Sequence, residues 1–81
     1  MALQIEVVTP RQVLFSAEAD YVTIPGVVGE LGILPGHLPI LTEMKEGALK
    51  YKKDGSEKEV QVKSGYAEVL KDKITVLAII D

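Results

Sequence analysis

The 81-residue sequence contains no cysteine and no tryptophan, and it has a single histidine, His37. Disulfide bonds and thiolate metal sites are therefore excluded, as is any site that needs several imidazole ligands. Only a packed apolar core remains to offset the conformational entropy lost on folding, on the order of 120 kcal/mol at about 1.5 kcal/mol per residue. A cysteine-free sequence also fits a reducing compartment.

Excess positive charge is missing too. There are 9 basic and 12 acidic side chains, and the net charge is −3. A protein that binds a phosphate backbone would carry a basic stripe, so we expect no nucleic-acid partner. No apolar run approaches the roughly 20 residues that span a bilayer, and we expect membrane association only through another protein.

Apolar residues make up 47% of the chain and aromatics 5%, so the core must be built from Val, Ile, Leu and Ala. Their β-branched share and the repeated period-two alternation favour strands. Alternation is clear at Leu3, Ile5 and Val7. For residues 9–19 a short helix and a strand are both compatible with the pattern, and the strand is favoured.

Turn signals divide the rest of the chain. Pro25-Gly26 and Pro35-Gly36 have the composition of type II turns, and Asp54-Gly55 that of a type I′ hairpin turn. The apolar run 74–80 predicts a last strand that is central or covered on both faces. In all, eight to ten short strands at intervals of about 8–12 residues predict one all-β domain, an antiparallel sandwich or barrel.

Motifs for chemistry are scarce. His37 has no serine in a recognisable nucleophile context, whether Ser16, Ser56 or Ser64. Glu57 and Glu59 share a strand face, but lysines lie nearby and a solvated surface is the better interpretation. The glycines of residues 26–39 lack the spacing of a nucleotide-binding loop. We therefore expect no catalytic, metal or cofactor site.

One alternative function concerns Lys45. Glu43-Met44-Lys45 is similar to the Met-Lys hairpin on which biotinyl and lipoyl domains carry their cofactor. The flanking residues Glu43 and Glu46 do not match that pattern. An exposed lysine beside a turn is the favoured interpretation, and a carrier domain modified at Lys45 is the alternative.

The segment 29–42, GELGILPGHLPILT, is the most distinctive part of the sequence. It is interpreted either as a tightly turned connection or as a preordered surface for a partner, since an ordered backbone loses little entropy on binding. Two shorter stretches precede it: EVVTP at residues 6–10 and, downstream of that strand, VLFS at residues 13–16. Together with them, the segment resembles the epsilon subunit of F-type ATP synthases, called delta in mitochondria. The resemblance covers essentially the whole chain, residues 1–81.

The resemblance implies a flattened antiparallel β-sandwich of about ten short strands, with residues 9–19 in a strand. It implies a non-catalytic rotor subunit that connects gamma to the ring of c subunits. On this basis we expect ring contacts in one polar patch with an apolar centre, formed by Thr9, Glu30, His37, Leu41 and Thr42. Gamma contacts are expected at Leu38, Pro39 and Ile40, and at exposed parts of the last strand around Val76 and Ala78.

The pair of C-terminal helices usual in this family is absent from the sequence, so no inhibitory or ATP-binding role is assigned. We expect a monomer in isolation and a peripheral location on the cytoplasmic face of a bacterial membrane or the stromal face of a thylakoid. The Met1-Ala2 start without a transit-like segment favours these two compartments.

Overall fold

A computed structural model describes residues 2–80, and all of its regular structure is β-strand. The predicted all-β sandwich is confirmed. No helix that could cross a bilayer occurs among the residues described. The nine strands are β1 (Leu3–Val8), β2 (Val13–Ala19), β3 (Tyr21–Gly26), β4 (Gly29–Ile33), β5 (Ile40–Met44), β6 (Gly47–Lys53), β7 (Ser56–Val62), β8 (Ser64–Leu70) and β9 (Lys73–Ile79).

The strands form one curled sheet that folds into two layers. Its order is β2-β1-β9-β8-β5-β3-β6-β7, with β4 paired to β3. β5 and β3 pair at one position only, where Gly26 lies opposite Met44. We call β2-β1-β9-β8-β5 the first layer and β4-β3-β6-β7 the second. At the corner between them a Cβ on Gly26 would lie 2.8 Å from the Gly29 carbonyl oxygen, so only glycine fits without a shift.

The pairing is not antiparallel throughout. β1 lies parallel to β9, from Gln4 opposite Lys73 to Val8 opposite Leu77. The first and the last strand are thus neighbours in the middle of the first layer, which sequence alternation alone does not reveal, because it reports faces and not neighbours.

Fifteen buried apolar side chains form the core between the layers. The first layer contributes alternate residues of its strands, such as Ile5, Val7 and Ile74. The second layer contributes Ile24 and Leu49, among others. The period-two burial on these strands is the pattern that predicted them.

Two predicted turns are confirmed. Asp54 and Gly55 both have positive φ, 52° and 82°, as a type I′ turn requires. At Pro35-Gly36 the turn closes with a hydrogen bond from the His37 N–H to the Leu34 carbonyl, and Gly36 has a φ of 87°. The predicted turn at Pro25-Gly26 is wrong, because β3 includes both residues and the turn follows at Val27-Val28.

Residues 13–19 form a strand, as favoured. The preceding Thr9 closes a turn, in which its N–H donates to the Gln12 carbonyl at 2.8 Å. The Thr9 hydroxyl oxygen accepts from the N–H groups of Arg11 and Gln12 at 3.3 and 3.2 Å. Thr9 therefore stabilises a turn before β2 and does not begin a helix.

Contacts between β2 and β6 close the open side of the sandwich. The rings of Phe15 and Tyr51 stack with centroids 5.5 Å apart. The Lys53 ammonium lies 3.6 Å from a carboxylate oxygen of Glu18 and 3.8 Å from one of Asp20. These contacts join the edge of the first layer to the second.

β9 is central, as predicted, because it lies between β1 and β8. It is not covered on both faces. Its burial alternates, and Leu77 and Ile79 are 42% and 38% exposed.

Candidate interaction surfaces

The candidate residues can be located relative to the two ends of the sandwich. At one end, which we call the Gly26 end, β3 and β5 finish at Gly26 and Met44 and β9 finishes at Ile79. At the opposite end, the Asp72 end, Lys71 and Asp72 connect β8 to β9. Every sequence-predicted site residue can be placed relative to these ends.

Glu30 and His37 lie at different ends. Glu30 is an exposed residue opposite Pro25, next to Gly26. The chain then runs along β4 to a turn whose Gly36 is hydrogen-bonded to Asp72. Since a strand advances about 3.3 Å per residue, the two side chains are separated by on the order of 10 Å or more. The two residues therefore lie towards different ends of the sandwich, and their shared contact with the ring stays a prediction.

Thr9 lies at the Gly26 end, beside the final residues of β9. With Pro10, Arg11, Ala78, Ile79 and Ile80 it lines an open groove of about 390 Å³. Its hydroxyl is engaged in the turn described above, where it also donates to the Gln12 carbonyl at 3.2 Å. The turn thus explains why threonine stands at this position, whether or not a partner touches it.

Leu41 and Thr42 point in opposite directions. Leu41 is 70% exposed on the outer face of β5, opposite Glu68. Thr42 is only 9% exposed, and its hydroxyl donates to the Glu43 carbonyl at 3.2 Å. Adjacent residues on a strand face opposite sides, so Thr42 as part of an exposed patch is a wrong prediction.

Val76 and Ala78 are completely buried, so the prediction that they are exposed is wrong. They lie on the inner face of β9, opposite Ala67 and Gly65 of β8. Leu77 and Ile79 are the outward residues. The signal that could have found them lies in β9 itself, because Lys73 and Thr75 share a face with Leu77 and Ile79, and Thr75 lies opposite Glu68 of β8.

An apolar stripe crosses the outer face of the first layer, and the sequence analysis missed it. Cross-strand pairing aligns one outward residue from each of four neighbouring strands. We call these residues, with Ile79 beside them, the outer stripe: Tyr66, Leu77, Val8, Val13 and Ile79. Tyr66 and Val13 are each more than half exposed. Exposed apolar side chains that lie together mark an interaction site more often than scattered ones do.

A second apolar group lies around His37 at the Asp72 end. Leu38 is 78% exposed, Pro39 is exposed and Ile40 is half-buried. The His37 Nδ1 lies 2.7 Å from the Leu38 carbonyl oxygen, which can only accept, so this nitrogen carries the proton. His37 is therefore continuous with the residues predicted to contact gamma.

Lys45 is exposed on the connection between β5 and β6. These strands do not pair with each other: β5 pairs with β8 and β3, and β6 with β3 and β7. Lys45 therefore lies on a crossing between the layers and not at a hairpin tip, which removes the structural basis of the carrier alternative. In residues 2–80 no three acidic or histidine side chains come together as metal ligands.

Within the described part of the chain, the features are those of a helix-free β-sandwich with two groups of exposed apolar residues on its surface. Residues 2–79 match the family model described as the ATP synthase delta/epsilon chain, beta-sandwich domain. The chain belongs to this family, and the predicted resemblance is confirmed.

Curated relatives agree with this assignment. The chain is 49% identical over 75 residues to the ATP synthase epsilon chain of Geotalea uraniireducens, covering 93% of this chain and 54% of the relative. It is 46% identical over 77 residues to that of Nitratidesulfovibrio vulgaris strain DP4, covering 95% and 58%. The chain thus spans little more than half the length of these relatives.

Solved structures show the same fold. One is a Euglena gracilis mitochondrial ATP synthase structure of OSCP, F1 and c-ring, with a TM-score of 0.89 and 17% identity over 96% of this chain and 51% of that chain. Another is the central stalk and c-ring of the Tetrahymena thermophila mitochondrial ATP synthase, with a TM-score of 0.71 and 16% identity over 95% and 64%.

Proposed function

We propose that the domain is a non-catalytic part of the rotor of an F-type ATP synthase, where it connects gamma to the c-ring at the membrane surface. Family membership over residues 2–79 is the observation that carries this proposal. The helix-free sandwich of residues 2–80 suits the role, because a close-packed interior yields little under load and can transmit torque.

Two separate surfaces would make the connection. The Gly26 end, with Glu30, Thr9 and the exposed Val27-Val28 turn, is proposed to face the c-ring. Val28 is 84% exposed there and lies two residues before Glu30 in the sequence. His37 is assigned to the other surface, since it lies at the Asp72 end.

Gamma is proposed to cover the outer stripe and the group formed by His37, Leu38, Pro39 and Ile40. The outer stripe replaces Val76 and Ala78 in this role, because Leu77 and Ile79 are the residues of β9 that a partner can touch. Leu41, exposed on the same outer face, lies between the two groups and would belong to the gamma surface.

The absence of cysteine makes cross-linking a clean test, since each introduced thiol is unique in the chain. The variants Leu77→Cys, Glu30→Cys and, as a matched control on the other layer, Glu57→Cys would be assembled with gamma and the c-ring. We expect Leu77→Cys to cross-link to gamma, Glu30→Cys to a c subunit, and Glu57→Cys to neither. Failure of the unmodified chain to enter the rotor would overturn the proposal.

A further inference from the structure

The turn at the Asp72 end has one backbone donor that the turn itself does not use. Pro35 and Gly36 are its central residues, with the His37 N–H bonded to the Leu34 carbonyl at 3.1 Å. Proline at the second position and a φ of 87° at Gly36 define a type II turn. In a type II turn the N–H of Gly36 points away from the ring that the His37–Leu34 hydrogen bond closes. The orientation of this Pro35–Gly36 peptide distinguishes type II from type I.

The Asp72 carboxylate accepts that N–H. Its Oδ1 lies 2.6 Å from the Gly36 nitrogen, although the two residues are 36 positions apart in sequence. A hydrogen bond to an ionised acceptor is shorter and stronger than one between neutral groups. Among the described residues, this is the one hydrogen bond that joins segment 34–39 to another part of the fold.

Asp72 is itself fixed. Its carbonyl oxygen accepts the Gln4 N–H of β1 at 2.9 Å, and its φ of 63° is in the left-handed region. Aspartate tolerates this conformation better than most residues, and its neighbour Lys71 is also left-handed, with a φ of 49°. The Asp72 carboxylate therefore projects from the β8–β9 turn, which a hydrogen bond to β1 fixes to the first layer.

We propose that Asp72 is a positioning residue for the gamma-binding segment His37–Ile40. Its carboxylate holds the Pro35–Gly36 peptide in the type II orientation and ties the loop to the β8–β9 turn. His37 and the exposed Leu38 then meet gamma from an ordered backbone, which reduces the entropy lost on binding. This role rests on the proposed function, because it concerns the same surface.

Three variants of the full chain distinguish loss of the Asp72–Gly36 hydrogen bond from a change in the β8–β9 turn that contains Asp72. Asp72→Gly removes the carboxylate and accepts the positive φ without strain. Asp72→Asn keeps a carbonyl acceptor and tolerates the same φ. Asp54→Gly is the matched control, since it makes the same change at a positive φ in the β6–β7 hairpin. The hydrogen bond from Asp54 to Asp20 is donated by the Asp54 backbone N–H, so glycine retains the donor.

Nuclear magnetic resonance of the ¹⁵N-labelled chain reports on the bond directly. In Asp72→Gly we expect an upfield shift of the Gly36 amide proton and faster hydrogen exchange there. Asp72→Asn should retain part of the downfield shift, and Asp54→Gly should leave Gly36 unchanged. Similar melting temperatures for the two glycine variants would show that the effect is local. A Gly36 amide unmoved by Asp72→Gly would overturn the proposal.

Binding to a gamma–c-ring complex that lacks this chain tests the consequence. Asp72→Gly should bind about three- to tenfold more weakly, comparable to one accessible hydrogen bond, with Asp72→Asn closer to the unmodified chain. Equal affinity of Asp72→Gly and Asp54→Gly, despite a shifted Gly36 amide, would overturn the positioning role. If the unmodified chain does not bind at all, the proposed function fails and the role of Asp72 fails with it.

Discussion

The two layers of the sandwich have similar inner faces and very different outer faces. On the second layer the outward residues of β6 and β7 are charged and complementary: Lys50 lies opposite Glu59 and Lys52 opposite Glu57. On the first layer the outer stripe runs across four strands. Cross-strand pairs of either kind stabilise a sheet face modestly, but exposed apolar residues that lie together also mark a surface for a partner.

The inner faces supply the core that folding requires, whereas the outer faces are where a partner would bind. Both inner faces are apolar because the core requires it. The outer stripe lies outside the core, and the partner proposed above would account for its place on one layer only. The predictions below test this separation, from the largest effect to the smallest.

The largest effect is expected at Gly65, on the inner side of the first layer. Its φ is 140°, and a Cβ there would overlap the Leu77 carbonyl oxygen of β9. Gly65→Ala should lower the free energy of unfolding by about 3 to 5 kcal/mol, measured by urea denaturation. Gly55→Ala is the control: with open space at a φ of 82°, it should cost only about 1 kcal/mol. Equal losses would contradict the close approach of β8 and β9.

The two faces of β9 should differ in their contribution to stability. Ile74 is completely buried, so Ile74→Ala leaves a cavity and should cost about 3 kcal/mol. Leu77→Ala, on the outer face, should cost about 1 kcal/mol, since much of that side chain already contacts water. Thermal and urea unfolding would check both, and a reversed order would refute the assigned faces.

A charge placed on the outer stripe should affect assembly more than folding. Leu77→Lys is expected to weaken binding to gamma about 30-fold, equivalent to about 2 kcal/mol, because an ammonium would lose water at the interface. Glu59→Lys, an exposed strand position on the other layer, is the control and should bind normally. Quantitative pull-down or calorimetry measures the difference, and equal affinities would exclude the stripe from the interface.

The smallest effect is expected where the layers meet at the surface. Lys53→Ala removes ion pairs to Glu18 and Asp20 at 3.6 and 3.8 Å, all between largely solvated groups. The cost should be about 0.5 kcal/mol and should fall with added salt. An effect that is independent of salt would indicate that the aliphatic part of Lys53 matters more than its charge.

Most of the fold was predictable from local signals. Alternation at Leu3, Ile5 and Val7 gave the face of β1, and Asp54-Gly55 gave a hairpin whose turn has the expected φ values. These features depend on residues close in sequence. The parallel neighbours β1 and β9 were not predictable, because no local pattern records which distant strand lies alongside.

The site was predicted less completely for the same reason. Residues 29–42 were singled out, but their three-dimensional separation depends on β4, which carries the chain from the Gly26 end towards the Asp72 end. The apolar run 74–80 obscured the alternation of β9, although Lys73 and Thr75 share a face with Leu77 and leave Val76 on the buried face. The bond between Asp72 and Gly36 spans 36 residues and has no sequence signature.

The parallel pairing of the first and last strands also has a consequence for biosynthesis. While the ribosome is still adding residues 73–79, β1 and β8 have no strand between them, and the first layer has a gap through its middle. Such distant pairing slows folding, and the incomplete layer exposes unpaired strand edges that favour aggregation. The first layer is therefore complete only once residues 73–79 have been added, and a chaperone would be of most use before then.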